Sequence, residues 1–171
     1  ILFKNLSTNL LGEHNVQNLT AVISIIDDLG YKIKKSHILS FKGTKRRMNI
    51  LGKLKKTIFI DDYAHHPTEI QSVFETLKCF YPSQKNCVVF QPHLFSRTRD
   101  FMKEFSSVLS QFDEVVLMDI YPAREKPIKG GFSFIVGLVG IKSYTPRPLE
   151  DAANLTLSIS PYFSFNEKRG K

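Results

Sequence analysis

The stretch Thr57-Ile58-Phe59-Ile60-Asp61-Asp62-Tyr63-Ala64-His65-His66-Pro67-Thr68-Glu69 decides the fold. Four residues with strand preference run into two adjacent carboxylates, two imidazoles and a proline. A short run of that kind reads as a strand. Proline suits the first position of a helix, because the donor it lacks has no intrahelical partner to lose. Beyond it Ile70, Val73, Phe74, Leu77 and either Phe80 or Tyr81 recur at steps of three and four, one apolar helical face. The unit is strand, polar turn, helix.

Working outward, the same alternation returns. Asn86–Phe90 reads as a strand, and Arg99–Gln111 as a helix with Phe101, Phe105, Val108, Leu109 and Phe112 on one side. Val115–Ile120 reads as another strand. Upstream, Arg47–Leu51 and Thr57–Ile60 form a hairpin around Gly52-Lys53. Earlier still, Val16, Leu19, Ile23 and Ile26 mark a helix over Asn15–Leu29 that stops at Gly30, and Ser36–Ser40 a shorter one. The expected fold is α/β: a Rossmann-like, mostly parallel sheet flanked by helices and preceded by a short helical segment. In such sheets ligands bind beyond the carboxyl ends of strands. Three places follow: after Ile60, after Phe90 and after Ile120.

Composition narrows the classes. The chain has 171 residues, 42% hydrophobic and 23% charged, as expected of a globular protein. Its longest apolar run, Phe132 to Ile141, falls far short of the ~20 residues of a membrane-spanning helix. Cys79 and Cys87 are expected to be reduced thiols of a cytosolic protein, since one pair makes neither a disulfide framework nor a zinc ligand set. The 24 basic and 16 acidic residues give a net charge of +8. That surplus fits nucleic acid or polyphosphate ligands equally, and neither basic cluster, Lys42 to Arg47 or Lys53 to Lys56, is interleaved with aromatics. The first residue is Ile1, without a signal-peptide layout after it, and the sequence reads as a piece whose start lies upstream.

Each strand end offers chemistry. At Asp61–Glu69 a helix start supplies free N–H donors for phosphate or carboxylate, and an aspartate nearby can accept from ribose hydroxyls. The plainer reading has Asp61 and His66 simply capping the helix. No third ligand shares the helix with the two histidines, so no metal site is assigned. Gln91–Asp100 holds His93, Arg97 and Arg99, and a guanidinium recognises a carboxylate in bidentate fashion. The alternatives there are an exposed first turn for both arginines and a buried, hydrogen-bonded His93. Arg124-Glu125-Lys126 reads as a surface turn with a local ion pair.

The segment Asp61–Glu69 resembles the start of the carboxyl-terminal domain of the Mur ligases that join L-alanine to UDP-N-acetylmuramate. Three more strings resemble the same family in the same order: Gly12-Glu13-His14-Asn15-Val16-Gln17-Asn18, Phe41-Lys42-Gly43-Thr44-Lys45-Arg46-Arg47, and Asp119 to Ile128. The resemblance implies that residues 1–45 end a central ATP-binding domain and that 46–171 form the carboxyl-terminal domain. It implies that His14, Asn15 and Asn18 contact adenosine, that Arg47 approaches phosphate and that Asp62 lies near the ribose. His65 would be catalytic, facing the reacting phosphate, with Tyr63, His93 and Arg97 holding the amino-acid substrate. The implied ligands are ATP, magnesium, L-alanine and UDP-N-acetylmuramate, in a cytoplasmic enzyme without nucleic-acid, membrane or protein partners. The magnesium ligands are expected upstream.

The sequence departs from the family in three respects. Many members carry a second arginine where Leu94 stands, a role Arg99 could take from one helical step away. That position is also where a sister ligase recycling a tripeptide could differ. No phosphate-cradling Gly-x-x-x-x-Gly-Lys string is present, so this chain is not expected to catalyse ligation alone. Residues beyond about Gly131 depart from the pattern, and the sheet is expected to be incomplete, with an open edge.

Overall fold

The structure, a computed structural model, describes residues 5–126 and 155–159. It opens with α1 (Glu13–Asp28) and α2 (Lys35–Ser40), followed by the hairpin β1 (Asn49–Leu54) and β2 (Thr57–Asp62). Then come α3 (Pro67–Phe80), β3 (Cys87–Phe90), α4 (Phe95–Asp100), α5 (Met102–Leu109), β4 (Glu114–Leu117) and β5 (Leu155–Ile159). The five strands form one sheet in the order β1-β2-β5-β3-β4. Only the β1–β2 pair is antiparallel; β2–β5, β5–β3 and β3–β4 are parallel. The expected α/β class holds, with helices packed on a mainly parallel sheet.

The core lies between the sheet and the helices α3 and α5. Ile60, Val88 and Phe90 from the strands meet Ile70, Val73 and Leu77 of α3 and Phe105 and Leu109 of α5, all fully buried or nearly so. Phe90 and Phe105 lie with ring centroids 5.4 Å apart. Each such side chain stabilises the fold by about 1.5–3 kcal/mol through apolar burial. Among the described residues no helix is long and apolar enough to cross a membrane.

Three details differ from expectation. The hairpin turns at Lys55-Lys56 instead of Gly52-Lys53; Lys55 takes φ 53°, and the register shifts between Ile50 and Gly52. The single helix expected over Arg99–Gln111 is two, broken at Phe101 (φ −111°, ψ 24°), whose ring packs edge-on against His66 at 4.6 Å. The largest difference is β5. It comes from the segment expected to match nothing, and it pairs with β2 on one side and β3 on the other. The sheet is continuous across its centre, and Asp61-Asp62 run beside Ser158-Ile159.

Candidate active site at the carboxyl ends of the parallel strands

The end of β2 sends successive side chains to opposite faces, as strand geometry requires. Asp62 is buried, and its carboxylate accepts from Met48 N–H and Ala64 N–H, each at 2.8 Å. Met48, at φ 47°, is held in a left-handed conformation that L-residues avoid, and Asp62 ties it down. Burial raises the Asp62 pKa above the usual carboxylate value; the two N–H bonds and the charges of His14 and Arg47 oppose this. Three of the residues expected around a nucleotide, His14, Arg47 and Asp62, therefore share one neighbourhood. Asn15 is buried and donates to Leu11 O at 2.7 Å, whereas Asn18 is exposed on the same helix. Asn15 is not a cap: α1 starts after Gly12 (φ 89°).

Asp61, Tyr63 and His65 alternate with Asp62 and Ala64. Asp61 lies 3.8 Å from the guanidinium of Arg46, and its Oδ1 is buried without a hydrogen-bond partner. Burial raises its pKa, the Arg46 charge lowers it, and Asp62 next door raises it further. Arg46 also sits over the Tyr63 ring, 4.8 Å from its centroid, and Tyr63 N–H donates to Arg46 O at 2.8 Å. The Tyr63 ring meets the His65 ring edge-on at 5.0 Å. His65 Nδ1 lies 2.9 Å from Tyr63 O, so it carries the proton in that bond and leaves Nε2 as the acceptor in the neutral ring.

The turn that follows is built locally. His66 caps α3, with its Nδ1 accepting from Thr68 N–H at 3.4 Å, and Glu69 reaches back to the N–H groups of His65 and His66 at 2.8 and 3.1 Å. This reciprocal pattern satisfies donors that a helix start leaves open. Of the two residues expected to cap the helix, His66 does so and Asp61 does not.

Beyond β3, the chain brings the second group of expected residues to the first. His93 lies 5.9 Å from His65, centroid to centroid, and Arg97 approaches His93 Nδ1 at 3.4 Å. Burial lowers the His93 pKa, and the neighbouring Arg97 and His65 lower it further against the opposing charge of Glu125, which favours the neutral imidazole. Leu94 takes φ 71° where the chain turns into α4. Arg99, the residue that could have replaced a second arginine, donates instead through Nε to Asp100 at 2.7 Å. Beyond β4, Tyr121 stacks on His93 at 5.7 Å.

The expected catalytic residue His65 and the expected substrate residues Tyr63, His93 and Arg97 thus form one cluster at the ends of β2 and β3. Arg46, Tyr121 and Glu125 lie beside them; the sequence places Tyr121 and Glu125 in the string Asp119 to Ile128 that resembles the family, and Arg46 beside Arg47, but gives none of the three a role. Nothing local names Ser96, 29 residues away, as the partner of Glu125. Among the described residues no group of three or more His, Cys, Asp or Glu side chains is arranged to hold a metal ion.

Residues 46–132, just over half of the chain, match the family described as Mur ligase, glutamate ligase domain. The chain belongs to this family. Mur ligases are also what its curated relatives are. It is 50% identical over 129 residues to the UDP-N-acetylmuramate–L-alanine ligase of Christiangramia forsetii, covering 74% of this chain and 28% of that protein. The enzyme of the same name from Vesicomyosocius okutanii is 39% identical over 167 residues, 94% of this chain and 33% of that protein. The chain therefore spans about a third or less of the length of these relatives. Among solved structures, the UDP-N-acetylmuramate–alanine ligase of Thermotoga maritima superposes with a TM-score of 0.69 at 28% identity, over 92% of this chain and 36% of that one. A murein peptide ligase from Psychrobacter arcticus shares the fold, with a TM-score of 0.60 at 20% identity over 91% of this chain and 35% of that one.

Proposed function

We propose that this Mur ligase chain is the end of a central ATP-binding domain, residues 1–45, and the carboxyl-terminal domain, 46–171, of an enzyme that joins L-alanine to UDP-N-acetylmuramate. The observation that carries the reading is the meeting of His65, His93 and Arg97 beyond two parallel strands. The 50% identity to alanine-adding ligases supports the choice of substrate.

In this reaction the muramate carboxylate is activated by the γ-phosphate of ATP, and the alanine amine then displaces phosphate to give the amide. Catalysis of this type rests on positioning and charge stabilisation. Arg97 pairs with the alanine carboxylate, and the neutral His93 beside it supplies a further hydrogen bond without competing positive charge. Tyr63 walls the same cleft. His65 Nε2, free to accept once Nδ1 is engaged, faces the reacting centre and can take a proton from the attacking amine. On the other face of β2, His14, Arg47 and Asp62 border the nucleotide with Asn18, and Asn15 holds the start of α1. Magnesium supplies charge neutralisation on the phosphates, and its ligands are assigned to the preceding part of the enzyme, as is the phosphate loop. The enzyme works in the cytoplasm, where its nucleotide substrates are soluble.

Leu94 favours a second reading, a sister ligase that takes a tripeptide instead of alanine, because it stands where a second arginine would complete a clamp on the alanine carboxylate. Both readings are tested by ADP release from the full-length enzyme with L-alanine or tripeptide as acceptor. Alanine-dependent turnover is expected, and Arg97→Ala should raise the KM for alanine about a hundredfold by removing a charged, bidentate partner. An enzyme that releases ADP only with the tripeptide overturns the first reading.

A further inference from the structure

The segment Arg124-Glu125-Lys126 reads as a surface turn in the sequence, but the structure binds it to the loop after β3. The two loops leave neighbouring parallel strands and re-engage beyond them. Tyr121 N–H donates to Pro92 O at 2.8 Å, and Leu94 N–H donates to Tyr121 O at 2.9 Å. Four residues later Glu125 closes the contact. Its carboxylate accepts from Ser96 N–H at 3.0 Å and from the Ser96 hydroxyl, and the Phe95 amide adds to them. These bonds hold the carboxylate of Glu125 below its ordinary pKa, so it is charged at neutral pH.

Ser96 lies between the two ligand-facing residues of its loop, three after His93 and one before Arg97. The backbone there is bent against preference, with Leu94 at φ 71°, ψ 134°, a sparsely populated conformation that costs an L-residue on the order of 1–3 kcal/mol. Such a bend persists only where surrounding bonds over-determine it. Tyr121 fixes the residue before α4 and Glu125 fixes its first turn, so the separation and direction of His93 and Arg97 are set from a different strand end.

We propose that Glu125, acting through Ser96, is a positioning residue for the carboxylate ligand of His93 and Arg97. That His93 and Arg97 hold a carboxylate, and that this ligand is L-alanine, rests on the function proposed above; the contact between the two loops does not. Glu125 itself stays outside the cleft. Its bonds run to Ser96 and Phe95, and its negative charge is felt at His93 against the positive charges of Arg97 and His65.

The test uses the full-length ligase with Glu125→Gln, Glu125→Asp and Ser96→Ala. Glu125→Gln should raise the KM for L-alanine about tenfold while kcat stays within about threefold, the pattern of a misplaced binding group. Ser96→Ala, which keeps the N–H bond and loses the hydroxyl, should raise KM about threefold. The His93 imidazole, followed by NMR, should titrate at lower pH in Glu125→Gln, because the negative charge of Glu125 that favours its protonation is gone. Glu125→Asp keeps that charge but shortens the reach, so it should retain the parental His93 titration with a raised KM. Parental KM and parental His93 titration in Glu125→Gln would overturn the proposal. If that variant is too unstable to assay, an unchanged KM in Ser96→Ala overturns it equally. A parent enzyme with no alanine-dependent turnover refutes the function proposed above, whereas an active parent whose KM for L-alanine is unmoved by Glu125→Gln refutes the positioning role alone.

Discussion

The loops after β2 and β3 solve one problem, presenting imidazole and guanidinium groups beyond a strand, by different means. The first is built largely from its own residues. Asp62 reaches two residues ahead to Ala64, His66 caps its own helix, and Glu69 turns back to His65 and His66. Its distant ties run to the segment before β1, from Asp62 to Met48 and from Tyr63 to Arg46. The second loop depends on another loop: Leu94 and Pro92 are tied to Tyr121, and Ser96 to Glu125. A site built from nearby residues survives local change; one built by a distant segment fails when that segment does.

The largest effect should come from breaking the first loop's tie to Met48. Asp62→Ala leaves two buried N–H groups unmet and frees the strained Met48, at a cost of about 3 kcal/mol in urea denaturation. A loss below about 1 kcal/mol would mean that this tie is dispensable. The same residue gives a pH signature. Its folded pKa is raised, so the stability it contributes is present below its ordinary value of 3.8 and lost as pH rises through the raised value. Relative to Asp62→Asn, the parent should therefore lose stability as pH climbs above 3.8, the opposite of a salt-bridged carboxylate. Flat or rising relative stability across that window would contradict the burial argument.

A smaller effect, about 1 kcal/mol, is expected for Glu69→Ala, which removes the back-reach of the capping pattern. Thermal denaturation measures it. A loss as large as that of Asp62→Ala would mean that the capping pattern carries as much of this loop as its tie to Met48. The smallest effect belongs to Leu94→Gly. Glycine adopts φ 71° without strain but gains freedom in the unfolded chain, so the net stabilisation is about 0.5 kcal/mol. Clear destabilisation would show that the Leu94 side chain contributes more by packing than its backbone loses.

The same contrast explains what the sequence disclosed. The first loop was legible, because carboxylates, histidines, proline and glutamate follow one another in the order the turn uses them. Strands β2 and β3 and helix α3 were legible from apolar spacing. The break at Phe101 was not: an aromatic fits the apolar face of a continuous helix, and the ring that it packs on, His66, belongs to the first loop. The loop of Glu125 was legible only through the string Asp119 to Ile128 that resembles the family, and its partner was not, since nothing near it names Ser96. Strand β5 carried a signal, the alternation of Leu155, Leu157 and Ile159 with Thr156 and Ser158, but alternation says nothing of which neighbours a strand joins. The candidate residues His65, His93 and Arg97 were named in advance; their mutual distances came only with the sheet.

The position of β5 sets an order of events during synthesis. Among the described residues, the side chains of the cleft have all been made once residue 125 leaves the ribosome, yet the strand that joins β2 to β3 is still some thirty residues from completion. Until it arrives, the hairpin and the β3–β4 pair each present an unpaired edge to solvent, an invitation to the wrong partner. The nascent polypeptide must hold two half-sheets apart and wait for its keystone.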